Sequence, residues 1–367
     1  MVTKVRVLIV DDSAFVRSTV TRKLDAHPDI QVVGIAVDGV EALEQIKSLG
    51  PDVVTLDIEM PNMDGLTALE RIMKECPVPV VMLSSRTGEG TKETLRALEL
   101  GAVDFYCKPS KAAPVGDRES KDLSAKVLCA ARIPRSQLGP SAYAGKTPKR
   151  VPRQGKVVAT AATNVLVIAS STGGPKALLE LIPRLPGNLP AAVIVVQHMP
   201  AGFTLSMAER LSGLSGLKVV QADDGDTLQH GKCLIAPGGY HLTINKSGEV
   251  ELNTEPLVNG VRPAADITMK SVAQRYGNKA LGVVLTGMGQ DGAAGAGAMR
   301  VTGGRIIAEH ESTCVVYGMP RSVIEAGFAD HVVPLHRMAN SVIEMLTTRR
   351  RLGRERDVDG RLNVPAA

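Results

Sequence analysis

The sequence predicts an α/β protein made of two doubly wound, mainly parallel sheet domains joined by a basic connector. Three observations carry that expectation. Short apolar runs rich in Val and Ile recur along the chain and alternate with stretches of helical character, as strands buried on both faces do. At 367 residues the chain is too long for one average domain and suits two, each able to bury a sizeable core. Between the alternating halves, Leu123 to Asn164 holds eight Lys or Arg, no Asp or Glu, and Pro134, Pro140, Pro148 and Pro152, the composition of a flexible linker. The expected boundaries are 1–122 and 161–347 for the domains, 123–160 for the linker, and 348–367 for a disordered basic tail around Arg349, Arg350 and Arg351.

Composition narrows the class further. Hydrophobic content of 44% with 22% charged residues reads as globular, and 2% aromatics with no Trp mean that aliphatic packing dominates. No apolar stretch approaches the ~18 residues of a membrane span, and the N-terminus runs directly into a strand, so a cytoplasmic protein without membrane insertion is expected. Five scattered cysteines with no CxxC pair support neither a disulfide framework nor a zinc site. The net charge of +5 sits in the linker and tail, and no helix-turn-helix follows the linker, which disfavours nucleic acid as a partner.

In the first half, apolar runs end at Val10, Leu56, Leu83 and Cys107. Parallel strands would bring Asp11, Asp12 and Asp57 to one carboxyl edge, where open α/β sheets place their ligands. Three crowded anions repel one another unless a hard cation such as Mg²⁺ neutralises them. Ser84 and Lys108 arrive at the same edge, adding a hydroxyl and a cation, so the set can hold a phosphoryl group. Singly, an acidic pair after a strand is most often a solvated turn or a helix cap. Together and in this order, from Lys4 to Lys108, the residues resemble the flavodoxin-like receiver domain of two-component response regulators. That resemblance implies a five-stranded parallel sheet and Asp57 as phospho-acceptor. It also implies Mg²⁺ held by Asp12, Asp57 and the backbone carbonyl of Glu59 with help from Asp11, and readout by Ser84 and Lys108.

The pattern restarts after the linker. Strands are expected over Val165 to Ala169, Ala191 to Val196, Lys218 to Gln221, Cys233 to Ala236 and Ala280 to Thr286. His241 to Asn245 and Glu249 to Asn253, joined by Lys246-Ser247-Gly248, suggest a hairpin added to that sheet. Chemistry again belongs at strand ends. The first strand runs into SSTGGP, placing Ser171 at a helix N-terminus beside glycines that leave backbone N–H groups accessible. The next delivers His198 in QHMP, and Thr286-Gly287-Met288-Gly289-Gln290-Asp291 brings a carboxylate. Nucleophile, base and orienting carboxylate on three strand ends satisfy the role logic of a serine hydrolase. The order Ser, His, Asp and the lack of a GxSxG elbow exclude a standard α/β-hydrolase.

SSTGGP, QHMP, IAPGGYH and LTGMGQDGA resemble the catalytic domain of the chemotaxis response regulator protein-glutamate methylesterases, and the receiver-plus-linker layout is similar to their full-length form. The resemblance implies demethylation of methyl-glutamates on chemoreceptors, deamidation of certain receptor glutamines, and a chemotaxis histidine kinase as phosphodonor, with no cofactor for the esterase reaction. By motif, Ser171 is the nucleophile, His198 the general base and Asp291 its orienting group, with the Thr172 and Met288 backbone N–H groups as oxyanion-hole candidates. The sequence departs from GASTGG by carrying Ser170 where Ala stands, and Ser171 keeps the spacing to Thr172-Gly173-Gly174. Two rival classes compete. Gly287-x-Gly289-x-x-Gly292 with Glu309 has the layout of an NAD(P)-binding fingerprint, yet explains neither Ser171 nor His198. A non-catalytic adaptor would dock through the basic linker instead.

Overall fold

The computed structural model describes residues 4–85, 88–108, 117–140 and 161–354. In the first domain, strands β1 (Val5–Val10), β2 (Ile30–Ala36), β3 (Val53–Asp57), β4 (Val80–Ser84) and β5 (Asp104–Cys107) pair in parallel, in the order β2-β1-β3-β4-β5. Helices α1 (Ala14–Asp25), α2 (Gly39–Leu49), α3 (Gly65–Glu75), α4 (Gly88–Leu100) and α5 (Asp117–Ala130) connect them. Fully buried β3 and β4 explain the continuous apolar runs, since helices cover both faces. Caps set the helix starts: Asp38 accepts from Val40 and Glu41 N–H, and Asp64 accepts from Thr67 N–H.

The second sheet has seven strands, all parallel. Its order is β14-β13-β12-β6-β7-β9-β8, from β6 (Val165–Ser170), β7 (Ala192–Gln197), β8 (Lys218–Gln221), β9 (Lys232–Ile235), β12 (Ala280–Val284), β13 (Arg305–Glu309) and β14 (His331–Val333). Its helices are α6 (Gly174–Leu181), α7 (Phe203–Leu214), α8 (Ala265–Tyr276), α9 (Ala293–Val301), α10 (Met319–Glu325) and α11 (Leu335–Arg354). No described helix is long and apolar enough to cross a membrane.

Three expectations are corrected. Strands β10 (His241–Ile244) and β11 (Val250–Asn253) form a separate two-stranded sheet rather than extending the large one. They dock on α8 instead, where Ile244 N–H donates to Ser271 Oγ and Thr268 Oγ1 donates to the Leu242 carbonyl. The linker does not begin at Leu123, because α5 runs to Ala130 and buries Leu123, Val127 and Ala130 against the first domain's core. The final helix likewise passes residue 348 and reaches Arg354, as arginine is a good helix former. The rest of the expected linker, 141–160, and of the tail, 355–367, lies outside the described residues.

The two domains pack against each other. Ala97 and Leu98 of α4 share one apolar cluster with Phe203 and Met207 of α7. Phe105 stacks on Phe203 with ring centroids 4.5 Å apart. Arg210 forks onto Glu99 at 2.5 and 3.0 Å, and Thr91 and Ser206 share a 2.9 Å hydrogen bond.

Candidate active site

At the carboxyl edge of the first sheet, Asp11, Asp12 and Asp57 each offer a carboxylate oxygen within 4.8 Å of the others. Asp57 Oδ1 accepts from Ile58 N–H at 2.7 Å, and Asp11 Oδ1 from Ser13 N–H at 2.9 Å. The second oxygens meet Lys108 Nζ, at 2.6 Å from Asp57 and 2.9 Å from Asp11. Burial pushes the Asp57 carboxyl up to about 6, against the pull of Lys108 and with a push from Asp11. Packed oxygen donors whose charge one lysine only partly offsets fit a hard divalent cation. Glu59 lines the same cavity, of about 500 Å³. Ser85 lines it too, whereas the Ser84 hydroxyl is buried and hydrogen-bonded to Thr94 of α4 and the Ser85 carbonyl.

The second site is built by three strand ends. β6 leads into Ser171, whose N–H donates to the Thr286 carbonyl at 3.1 Å, tying the loops after β6 and β12 together. Gly287 permits this approach: a Cβ there would lie 2.8 Å from Ser171 Cβ. His198 follows β7, and its N–H donates to the Ser170 carbonyl. Its Nε2 lies 2.7 Å from Asp291 Oδ2, so Nε2–H donates to the carboxylate and Nδ1 is left as the proton-accepting nitrogen. Asp291 reaches this position because it caps α8, accepting from Ala265 N–H at 2.6 Å and Asp266 N–H at 3.0 Å. Burial alone would raise its carboxyl, but the His198 bond and these backbone donors hold it below the usual range. No hydrogen bond joins Ser171 to His198 among the described residues, a separation common before substrate binds.

The neighbouring serine is occupied. Ser170 is fully buried and donates to Gln197 Oε1 at 2.7 Å, and Gln197 Nε2 returns to the Ser171 and His198 carbonyls. The Thr172 and Met288 N–H groups carry no hydrogen bond among the described residues. Both residues line, with Ser171, His198 and Asp291, a cavity of about 550 Å³. Phe105, Tyr106, Cys107 and Lys126 of the first domain line it as well. Thr172 Oγ1 donates to Asp104 Oδ2 at 2.5 Å, so the residue beside Ser171 is bonded directly to the first domain.

Sequence reasoning missed Asn259, Asp266 and Asp104, each placed by a contact distant along the chain. Its rival dinucleotide site is filled from within: Gly292 and Gly295 N–H, the donors a pyrophosphate would need at the start of α9, both point at Asp266 Oδ1.

Known proteins match on the same two halves. The family described as CheB methylesterase matches residues 166–342, and the response regulator receiver domain matches residues 7–116. A protein-glutamate methylesterase/protein-glutamine glutaminase of Symbiobacterium thermophilum is 48% identical over 347 residues, covering 92% of this chain and 96% of that one. One of the same name from Pyrococcus abyssi is 45% identical and covers 96% and 97%. The crystal structure of the Thermotoga maritima CheB methylesterase catalytic domain is 48% identical, covers 50% of this chain and 98% of that one, and has a TM-score of 0.49. Neither an oxidoreductase nor a non-catalytic adaptor is supported by these relatives. With relatives of this identity aligned across both halves, the chain belongs to the protein-glutamate methylesterase/protein-glutamine glutaminase family.

Proposed function

We propose that this chain demethylates methyl-glutamates, and deamidates glutamines, on the signalling helices of chemoreceptors in the cytoplasm. Ser171 is the nucleophile, His198 the general base, Asp291 its orienting group, and Thr172 and Met288 N–H form the oxyanion hole. The observation that carries this is the His198–Asp291 bond beside Ser171 in one cavity. Ser171 Oγ adds to the ester carbonyl while His198 Nδ1 takes the hydroxyl proton. The tetrahedral oxyanion is held by the two N–H groups. His198 then protonates the departing methoxide, which leaves as methanol, and an acyl-enzyme remains. Water, deprotonated by the same imidazole, releases glutamate and restores Ser171. Glutamine follows the same course, with ammonia leaving.

The receiver acts as the switch. A chemotaxis histidine kinase supplies the phosphoryl group to Asp57. Asp11, Asp12, Asp57 and the Glu59 carbonyl would hold Mg²⁺, whose charge offsets that of the transferring group. For Ser84 to join Lys108 in reading phospho-Asp57, its hydroxyl must leave Thr94. Thr94 sits on α4, which also carries the Thr91 and Glu99 contacts to α7. Phosphorylation therefore acts on the helix that holds the domains together, biasing a closed–open equilibrium while the triad stays fixed. Methanol release from methylated receptor tests the chemistry: it should vanish in Ser171→Ala and persist in Ser170→Ala, and the reverse result would assign the wrong serine.

A further inference from the structure

Residues 257–262 contribute a wall of the esterase cavity with no part in the scheme above. At its tip Val258 and Val261 exchange two backbone hydrogen bonds, of 3.3 and 3.0 Å, across Asn259 and Gly260. With φ of 53° and 82°, these two residues make a primed hairpin turn, which needs left-handed backbone at both positions. Asparagine is among the few side-chain-bearing residues that adopt it readily. It also carries two N–H donors on one amide.

Both donors are used on acids. Asn259 Nδ2 donates to Asp266 Oδ2 at 3.0 Å and to Asp291 Oδ1 at 3.2 Å. The two carboxylates are 4% and 2% exposed; Asp291 caps the helix that holds Asp266, and Asp266 caps the helix that follows Asp291. Asp291 accepts from Ala265 and Asp266 N–H at the start of α8, while Asp266 Oδ1 accepts from Gly292 N–H at 2.9 Å and Gly295 N–H at 2.7 Å leading into α9. Two buried anions this near repel each other. A neutral amide between them satisfies one oxygen of each without introducing a cation to compete with His198 for Asp291 Oδ2.

We propose that Asn259 and Asp266 are positioning residues of the esterase, their amide–carboxylate bridge fixing the rotation of the Asp291 carboxylate so that Oδ2 stays turned to His198. The proposal rests on Asp291 being the group that orients His198. Without the bridge Asp291 keeps one backbone N–H on each oxygen, Asp266 on Oδ1 and Ala265 on Oδ2, but Oδ1 loses its side-chain donor, so the carboxylate is held less firmly in the rotation that turns Oδ2 to His198. The loss falls on proton transfer by His198 and therefore on kcat rather than on KM.

The test uses full-length protein and methylated receptor, comparing Asn259→Gly, Asp266→Asn and Ser171→Ala. Glycine keeps the left-handed turn and removes the amide alone. Asp266→Asn keeps an oxygen for the α9 N–H groups but turns a donor toward Asn259. For Asn259→Gly we expect kcat to fall about 10- to 100-fold, the scale of a hydrogen bond to a charged group, with KM unchanged and the protein folded at a lower melting temperature. Asp266→Asn should lower kcat in the same way, and if it fails to fold, Asn259→Gly decides alone. A kcat equal to the parent's in Asn259→Gly overturns the proposal, and so does a change confined to KM, which would make the turn a substrate contact. Turnover retained in Ser171→Ala would instead sink the esterase assignment beneath it.

Discussion

The molecule buries crowded carboxylates twice and neutralises them in opposite ways. In the receiver, Asp11 and Asp57 turn one oxygen each toward a single lysine side chain, and the Asp57 carboxyl is driven up to about 6. In the esterase, Asp291 is met by two backbone N–H groups, the Asn259 amide and His198, and its carboxyl is held below the ordinary range. Burial is similar; the donors differ. Fixed backbone donors leave no oxygen available, which suits the role proposed for Asp291, holding an imidazole without reacting. A side-chain cation can be displaced or supplemented, which suits the metal-binding and phosphoryl-accepting roles proposed for Asp57.

That contrast can be broken at several points. Ser171→Ala should lower turnover on the order of 10⁶, as nucleophile loss does in triads that act as a unit, and His198→Ala should match it. Methanol release measures both. Asp291→Asn should cost roughly 10⁴, because an amide that presents its NH₂ to His198 imposes the wrong tautomer. A mild effect there would mean that the backbone donors, rather than the negative charge, are what matters. Arg210→Ala strips the forked hydrogen bonds from buried Glu99 at the domain interface, leaving it only the longer Arg96 pair. The unphosphorylated protein should then gain activity within the ~5–150-fold span of typical couplings, and an unchanged rate would show that this contact does not hold the closed form.

Glu309 sharpens the comparison with the smallest effect. It is fully buried, with Thr286 N–H and Thr313 Oγ1 as its donors, and burial pushes its carboxyl up from 4.5 to about 7. Between those values the folded state holds more protons than the unfolded chain, so this residue's contribution to stability declines as pH rises from 4.5 to 7. Glu309→Gln cannot titrate. Thermal melts should show the variant gaining on the parent across that window and keeping a constant offset above it.

Much of this was legible in the sequence because both sites sit at strand ends. An apolar run that stops at a polar residue announces β6 and Ser171, β7 and His198, and β3 and Asp57 in one stroke. The oxyanion candidates, Thr172 and Met288, came from the motif resemblance alone; the close approach of Gly287 to Ser171 was not read from the sequence. Asn259 and Asp266 were hidden because their significance lies in contacts with Asp291, 32 and 25 positions away. The Asn-Gly turn was a signal that could have been used. The end of α5 was misjudged for a different reason: absence of acidic residues suggested a linker, while Leu123, Val127 and Ala130 already had the spacing of a buried helix face. Nothing local marks Asp104 as the partner of Thr172, because that bond belongs to the packing of one domain on the other.

The central claim is that the receiver closes the esterase cavity and that phospho-Asp57 opens it. The direct measurement is methanol release from methylated receptor by full-length protein, with and without Mg²⁺ and acetyl phosphate, in the parent and in Asp57→Asn. The account predicts a gain in the parent within the ~5–150-fold range of typical couplings and no response in Asp57→Asn, whose basal rate equals the unphosphorylated parent's. Equal rates with and without phosphodonor in a parent shown to carry the label would contradict it.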